Sequence, residues 1–254
     1  MGIKTPALST FRYNNLMDAS AELKAFCKSS GADLAGIADL APFQQGWPTL
    51  PADLLRSYTR AVSVAVRLSD DIMDAIGGHP TIEYADHYRK VNEILDNLTA
   101  DIVAWIMNRG FRAEAVPASK IMDTENLLGG LSHKAVARMA GIGWQGKSLL
   151  IVSPEFGPRI RLATVLTDMP LTPDNPVKNR CGACTECTDA CPAGAIRNAT
   201  ASGMYASREE ALFFGRCVDK TLAFSKMPGI SARICGVCVR ACPHGKSRKA
   251  AEKE

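Results

Sequence analysis

Cys181, Cys184, Cys187 and Cys191, with Pro192 behind them, are spaced C-x2-C-x2-C-x3-C-P, a run whose thiolates suit iron. Three thiolates at three-residue intervals wrap one iron–sulfur cubane within a short turn of chain, while the fourth points away to a neighbouring cluster. A second run, Cys235, Cys238 and Cys242 with Pro243, repeats the C-x2-C-x3-C-P half and lacks only a first cysteine. Cys217, eighteen positions before Cys235, supplies it. The spacing therefore assigns Cys181, Cys184, Cys187 and Cys242 to one [4Fe-4S] cluster and Cys191, Cys217, Cys235 and Cys238 to the other. Two zinc sites of four thiolates each are the alternative, and the interlocked C-x3-C-P runs disfavour it. The ninth cysteine, Cys27, lies on the apolar face of the first expected helix and reads as a small core hydrophobe. Two adjacent cubanes form an electron wire, so the long stretch ahead of them is expected to hold a redox centre.

The rest of the composition narrows the class. Of 254 residues 46% are hydrophobic and 22% charged, which excludes disorder and low complexity and allows one large or two modest domains. A net charge of +4 is too mild to argue for a nucleic-acid partner by itself. The longest apolar stretches, such as Leu149 to Val152, fall far short of the ~18 residues of a membrane span. The first 30 residues carry Asp18 and Glu22 and no export pattern, so the chain reads as cytoplasmic, without a membrane partner. Nine cysteines in a reducing compartment are then better explained as metal ligands than as disulfides.

Eight of those cysteines lie beyond residue 180, and the proline-rich turn from Pro170 to Pro176 marks the boundary. Residues 1–178 read as one domain and 179–254 as a cluster domain. In the first, Leu16, Ala19, Leu23, Phe26 and Cys27 recur at helical spacing over roughly 15–30, stopped by Gly31. Leu34 to Ala38 and Ala61 to Leu68 predict strands, the second with Val62, Val64 and Val66 on one face. Val91, Ile94, Leu95, Leu98, Ile102, Trp105 and Ile106 keep a 3.6-residue period over 85–109, ended by Gly110. Strands are expected at Phe111 to Val116, Ser148 to Val152 and Leu162 to Thr167, with Ser132 capping a short helix that ends at Gly141. The pattern is α/β (α+β), strands interleaved with helices, and the end from His244 onward reads as a solvated tail.

Gly141, Gly143 and Gly146 spell G-x-G-x-x-G, and with Lys147 and Ser148 the stretch also satisfies the P-loop pattern. Both phosphate loops need a strand before and a helix after. Here helical composition precedes and strand composition follows, so neither reading is adopted. What remains is a loop whose glycines let backbone approach a ligand, or a helix cap followed by a tight turn.

With these pieces on the page, the stretch from His133 to Ile196 resembles the cobalamin-dependent iron–sulfur reductases, the epoxyqueuosine reductases and reductive dehalogenases. AGIGWQGK (Ala140 to Lys147) is similar to the A-G-L-G-W-x-G-K loop of the former, and SPEFGPRIRLATVLTDMPL (Ser153 to Leu171) is similar to the dehalogenase stretch preceding its clusters. CGACTECTDACPAGAI closes the match, and GADLAGIADL, RAVSVAVRL and YADHYRKVNEILDNL have looser counterparts. The resemblance implies a nitroreductase-like cofactor domain holding cobalamin, followed by a ferredoxin-like double [4Fe-4S] domain. It implies electrons passing from a donor such as ferredoxin or flavodoxin through both clusters to the cobalamin, which reduces a C–O or C–halogen bond. Gly141, Gly143, Trp144, Gly146, Lys147 and Arg161 are then candidate cofactor-binding residues. Arg159 and Arg161 meet amide or phosphate groups of the cofactor or surface carboxylates, one of the two being expected at the surface.

The departures concern the proton donor. In epoxyqueuosine reductases the catalytic Asp lies fourteen residues before the glycine loop, where this chain has Leu127; Asp123 is the nearest acid. Buried beside a corrin, it would need a raised pKa to stay protonated. His133 stands where the family has a Glu, and with Lys134 makes a candidate donor and anion clamp. Tyr84 and Tyr88 match tyrosines of the family, and the Tyr88 hydroxyl is a third candidate donor. His79 and His244 read as loop residues. The function implied is a reductase of the epoxyqueuosine reductase type acting on a small or tRNA-borne substrate. The alternatives are an electron-transfer or corrinoid-activating protein serving a partner, and a flavin enzyme with FMN in the first domain.

Overall fold

The computed structural model describes residues 16–44 and 47–245. Helix α1 (Leu16–Ser29) buries Leu23 and Cys27 completely, and Gly31 turns the chain away at φ 108, a region open to glycine. Burial pushes the Cys27 thiol up to about 12, as befits a core position without chemistry. Strands β1 (Leu34–Asp39) and β2 (Arg60–Arg67) follow, then α2 (Asp70–Asp74) and the long α3 (Ile82–Met107). Thr81 caps α3 by accepting the Tyr84 N–H at 3.1 Å, a contact worth about 1 kcal/mol. After β3 (Ala113–Val116), Ser132 caps α4 (His133–Met139) by accepting from the Ala135 N–H. Next come β4 (Trp144–Gln145), β5 (Ile151–Val152) and β6 (Ile160–Thr167). Among the described residues four further α-helices follow: α5 (Glu186–Asp189), α6 (Arg208–Ala211), α7 (Phe214–Ser225) and α8 (Val237–Ala241).

The main sheet has the order β1-β2-β6-β3, and every pairing is antiparallel. The fold is thus a mixed α and β arrangement, without parallel strand pairs among the described residues. Interleaving alone could not reveal this, because β6 inserts between β2 and β3 from far along the chain. Val62, Val64, Val66, Ala163 and Val165 join the core that includes Leu23, Leu95, Leu98 and Ile102 from α1 and α3. The opposite face, with Ala61, Ala65 and Leu166, packs on Ala135, Val136 and Ala137 of α4. Period-two alternation on β2 thus serves two cores rather than a core and solvent.

The first core continues into the cysteine-rich half through Ile230, Ile234, Val237 and Val239, so packing runs across the boundary read near residue 178. The expected tail from His244 begins inside the fold: Gly245 is buried and His244 half-buried, while residues 246–254 lie outside the described residues. The strand expected at Ser148 to Val152 shrinks to β5. A tight hairpin takes the rest, with the Gly146 N–H on the Leu150 carbonyl at 2.8 Å and the Leu149 N–H on the Gly146 carbonyl at 2.9 Å.

Gly36 of β1 lets α4 approach: a Cβ there would sit 2.0 Å from the Ala140 carbonyl oxygen. Gly36→Ala is expected to cost about 1–3 kcal/mol by overpacking, read as a lowered melting temperature. Gly77→Ala, where a Cβ meets nothing within 4 Å, serves as the unaffected control. Equal melting temperatures for the two variants would contradict the close packing of β1 and α4.

Candidate metal centres and adjoining candidate active site

The eight cysteines of the second half fall into two groups. Cys191, Cys217, Cys235 and Cys238 line one cavity together with Ser148, Pro192 and Lys220. Burial pushes the Cys242 thiol up to about 11, and the charges of Cys187, Cys181 and Cys184 add to the rise. Cys235 likewise is raised by burial first and then by the charges of Cys217 and Cys191. Cys242 and Cys235 thus each feel thiols of the set to which the spacing assigns them. The groups adjoin at Cys238, whose thiol burial raises furthest and which also feels Cys187 and Cys191 from the first run. Clustered, desolvated thiols resist ionisation until a cation replaces their protons.

Among the described residues no three or more His, Cys, Asp or Glu side chains converge as ligands of a single ion. The space lined by Cys191, Cys217, Cys235 and Cys238 suits a cubane. Gly236, with φ 81, makes the turn between Cys235 and Cys238 and backs onto Ile76 and Tyr84; a Cβ there would lie 2.5 Å from Ile76 and 2.9 Å from Tyr84.

The glycine loop meets protein at every position where a side chain would stand. A Cβ on Gly141 would meet the Asn175 carbonyl at 2.7 Å, one on Gly143 the Val152 carbonyl at 2.3 Å, and one on Gly146 the Val152 side chain at 2.8 Å and Cys181 Sγ at 3.5 Å. The loop is the helix cap and tight turn, and the close approaches are to its own chain. Lys147 is 4% exposed and donates to the Cys184 carbonyl and to Asn198 Oδ1, both at 2.8 Å, so two of its three N–H groups are spent inside the chain. Trp144, 1% exposed, donates its indole N–H to Cys181 Sγ at 3.4 Å. Of the six expected cofactor-binding residues, Trp144, Gly146 and Lys147 therefore attend the first cysteine group, Gly141 and Gly143 hold the loop, and Arg161 lies elsewhere.

Arg161 opens a second site beside the second cysteine group. Tyr84, Tyr88 and Asn92 stand four residues apart and share one face of α3. The Arg161 guanidinium lies 4.3 Å from the centre of the Tyr88 ring and donates to Asn92 Oδ1 at 2.8 Å and Ser119 Oγ at 2.9 Å. Ser119 Oγ is 3.4 Å from the Tyr88 hydroxyl. Burial would raise the Tyr88 phenol, but Arg161 and hydrogen bonding with Ser119 and Asn92 outweigh it and hold the group below its ordinary pKa. Tyr84, one turn earlier, is raised by burial, with Arg161 opposing and the charges of Tyr88, Cys238 and Cys235 adding, and its ring lies against Gly236 between those two cysteines in the chain.

His133 contributes differently. Its Nε2–H donates to the Pro117 carbonyl at 3.1 Å, so Nδ1 accepts from the Thr164 hydroxyl at 2.8 Å. Burial, with Arg161 adding, pushes its pKa down and keeps the ring neutral. Both nitrogens are occupied, an arrangement that positions α4. Lys134 is pushed down to about 8 by burial and Arg208, against the opposing pull of Cys217 and Cys238.

Asp123 sits half-exposed in the loop between β3 and α4. Its carboxylate accepts from the backbone N–H groups of Asn126 and Glu125, both at 2.9 Å, and from Asn126 Nδ2 at 2.8 Å. The Asn126 bonds foremost hold it below the ordinary carboxylate range, the opposite of the raised pKa a donor needs. Leu127 lies in the same loop at φ 53, its carbonyl accepting from Arg208. Of the arginine pair, Arg159 takes the carboxylates, Asp70 at 3.0 Å and Asp74 at 2.5 Å, yet it is fully buried rather than superficial. Among the described residues Arg161 has no carboxylate partner. Asn92 could have been read from its i+4 spacing to Tyr88; Ser119 and Thr164 carry no local signal.

Sheet, helices and two thiol groups define an iron–sulfur protein with a double cluster domain: the family profile of the 4Fe-4S double cluster binding domain matches residues 180–245. The chain is also a sequence relative of the epoxyqueuosine reductases. That of Bacillus anthracis is 37% identical over 120 residues, 46% of this chain and 30% of the relative, so the chain spans under a third of that protein. An epoxyqueuosine reductase solved with an epoxyqueuosine-modified tRNA-Tyr stem loop superposes with a TM-score of 0.60 at 26% identity, covering 92% of this chain and 67% of the other. A reductive dehalogenase described with a mechanism for B12-dependent dehalogenation superposes with a TM-score of 0.71 at 20% identity, covering 96% of this chain and 35% of the other, a likeness of fold. Among the described residues no helix is long and apolar enough to cross a membrane.

Proposed function

We propose that this chain is a reductase of the epoxyqueuosine reductase type, in which two [4Fe-4S] clusters deliver electrons to a cobalamin held by a nitroreductase-like domain over residues 1–178. The observation that carries the reading is Tyr84, which stands one helical turn before the Tyr88 that Arg161 covers and whose ring lies against Gly236, between Cys235 and Cys238 in the chain. A proton-donating site and an electron-delivering site thereby adjoin. The residues fit a corrin: Arg161 is held by neutral Asn92 and Ser119 rather than by a carboxylate, which suits an amide-rich ligand. Ile121 and Met122, each 48% exposed beside Ser119, offer an apolar rim. When bound, cobalamin supplies the metal-centred cleavage of the C–O bond.

The chain's own residues do the rest. Deoxygenating an epoxide to an alkene consumes two electrons and two protons and releases water. Tyr88 holds one proton at its phenol oxygen, Arg161 steadies the phenolate left behind, and solvent refills it. His133 keeps the first turn of α4 in place, and Lys134 sets a basic group within the field of Cys217 and Cys238. The relative solved with a tRNA stem loop makes tRNA-borne epoxyqueuosine the first substrate to supply, with a ferredoxin or flavodoxin as donor.

Protein reconstituted anaerobically is expected to bind about eight irons and to convert added cob(II)alamin from its free EPR signal to a base-off one. A full iron count with only free-cofactor signals would sink the cobalamin reading and leave an electron carrier. Stoichiometric flavin would replace it with an FMN enzyme.

A further inference from the structure

We propose that the indole N–H of Trp144 sets the reduction potential of the cluster ligated by Cys181, raising it through a hydrogen bond to that thiolate. The inference rests on the cluster reading above and goes beyond it to the tuning of one cluster.

An indole N–H is a donor only, and a buried donor left unpaired costs about 1–3 kcal/mol. Trp144 is buried and its described partner is Cys181 Sγ, 3.4 Å away. The ring cannot easily turn from it. β4 pairs Trp144 with Val152, Gly143 lies against the Val152 carbonyl, and the His244 imidazole meets the indole edge-on at 5.0 Å and 84°. His244 itself follows Cys242, so Trp144 is wedged between the first and last ligand segments of one cluster.

Reduction adds negative charge that spreads onto cluster sulfur, and a donor aimed at sulfur stabilises the more negative state. The buried Lys147 ammonium on the same cysteine loop acts in the same direction. In the second cluster the corresponding contact is a backbone one, the Ala195 N–H on Cys191 Sγ at 3.3 Å. Among the described residues only the first cluster therefore has an N–H···S donor that a side-chain substitution removes. Since Tyr84 places the second cluster beside the candidate active site, the tuned cluster is the outer one. A raised potential makes it the easier to fill from a donor.

The test is an EPR-monitored redox titration of full-length, reconstituted wild type, Trp144→Phe, and a variant with benzothienylalanine at position 144, which keeps the bicyclic shape and lacks the N–H. At fixed applied potential the reduced-to-oxidised ratio of one cluster is expected to fall about tenfold in both variants, about 59 mV for a one-electron couple, with the other cluster unmoved. Unmoved potentials at a full iron count in the benzothienylalanine variant would overturn the proposal. So would loss of one cluster from both variants, which would make Trp144 a structural wedge only. Wild type lacking about eight irons would overturn the cluster reading, and this inference with it.

Discussion

Protein carrying Cys217→Ser is expected to return from anaerobic reconstitution with about four irons instead of about eight, and with the spectrum of a single cluster. Cys217 is carried by α7, far in sequence from both cysteine runs, and it lines one cavity with Cys191, Cys235 and Cys238. Burial raises its thiol, with the charge of Cys191 adding, so what keeps it ionised in the holoprotein is iron. A serine hydroxyl does not ionise near neutral pH and cannot take that place. The partition makes a sharper claim about neighbours. Cys191→Ser should behave like Cys217→Ser and spare the first cluster, although Cys191 belongs to the same run as Cys187. Cys242→Ser should behave like Cys187→Ser, although Cys242 belongs to the run of Cys235. Iron and sulfide counts with EPR on these four proteins decide it. Eight irons retained in Cys217→Ser would refute the ligand set, and a first-cluster loss in Cys191→Ser would refute the interlock. An external donor should still reduce the remaining outer cluster of Cys217→Ser, but turnover should fail, because the cluster beside Tyr84 is the one removed.

Iron–sulfur ligation is legible because its signal is local: the intervals among Cys181, Cys184, Cys187 and Cys191 state how far apart thiolates stand on a short turn. The helices announce themselves for the same reason, through apolar periodicity over 85–109 and the cap at Ser132, whereas the Thr81 cap of α3 emerges only in the structure. The glycine loop is the opposite case. G-x-G-x-x-G states that something approaches the backbone closely, and the occupants, the Asn175 and Val152 carbonyls and Cys181 Sγ, come from elsewhere in the chain. Strand direction is equally non-local, since β6 pairs with β2 over eight residues across a gap of a hundred. The proton donor was open among Asp123, His133 and Tyr88 because type and spacing carry no information on environment. Only the fold shows Asp123 bonded by the Asn126 and Glu125 N–H groups, His133 with both nitrogens taken, and Tyr88 beneath an arginine.

Tyr88→Phe is accordingly expected to lower turnover about a hundredfold or more, the usual scale for loss of general acid catalysis, with iron content and cofactor binding unchanged. The phenyl ring keeps its place under Arg161, so the loss isolates the hydroxyl. The pH profile carries the sharper test. A proton donor works only while protonated, so activity is present below its pKa and falls as pH rises through it. Arg161 and its hydrogen-bonding neighbours hold the Tyr88 phenol below the ordinary tyrosine value, which places the alkaline limb at lower pH than an unperturbed tyrosine would. Arg161→Gln removes the charge while leaving burial, whose effect alone is to raise the phenol; the limb should therefore move to higher pH. Asp123→Asn should leave the profile unchanged, because a carboxylate held below its ordinary range is already ionised at neutral pH and has no proton to give. Turnover surviving in Tyr88→Phe but lost in Asp123→Asn would transfer the donor role to the loop and require that loop to move Asp123 from the place it holds here.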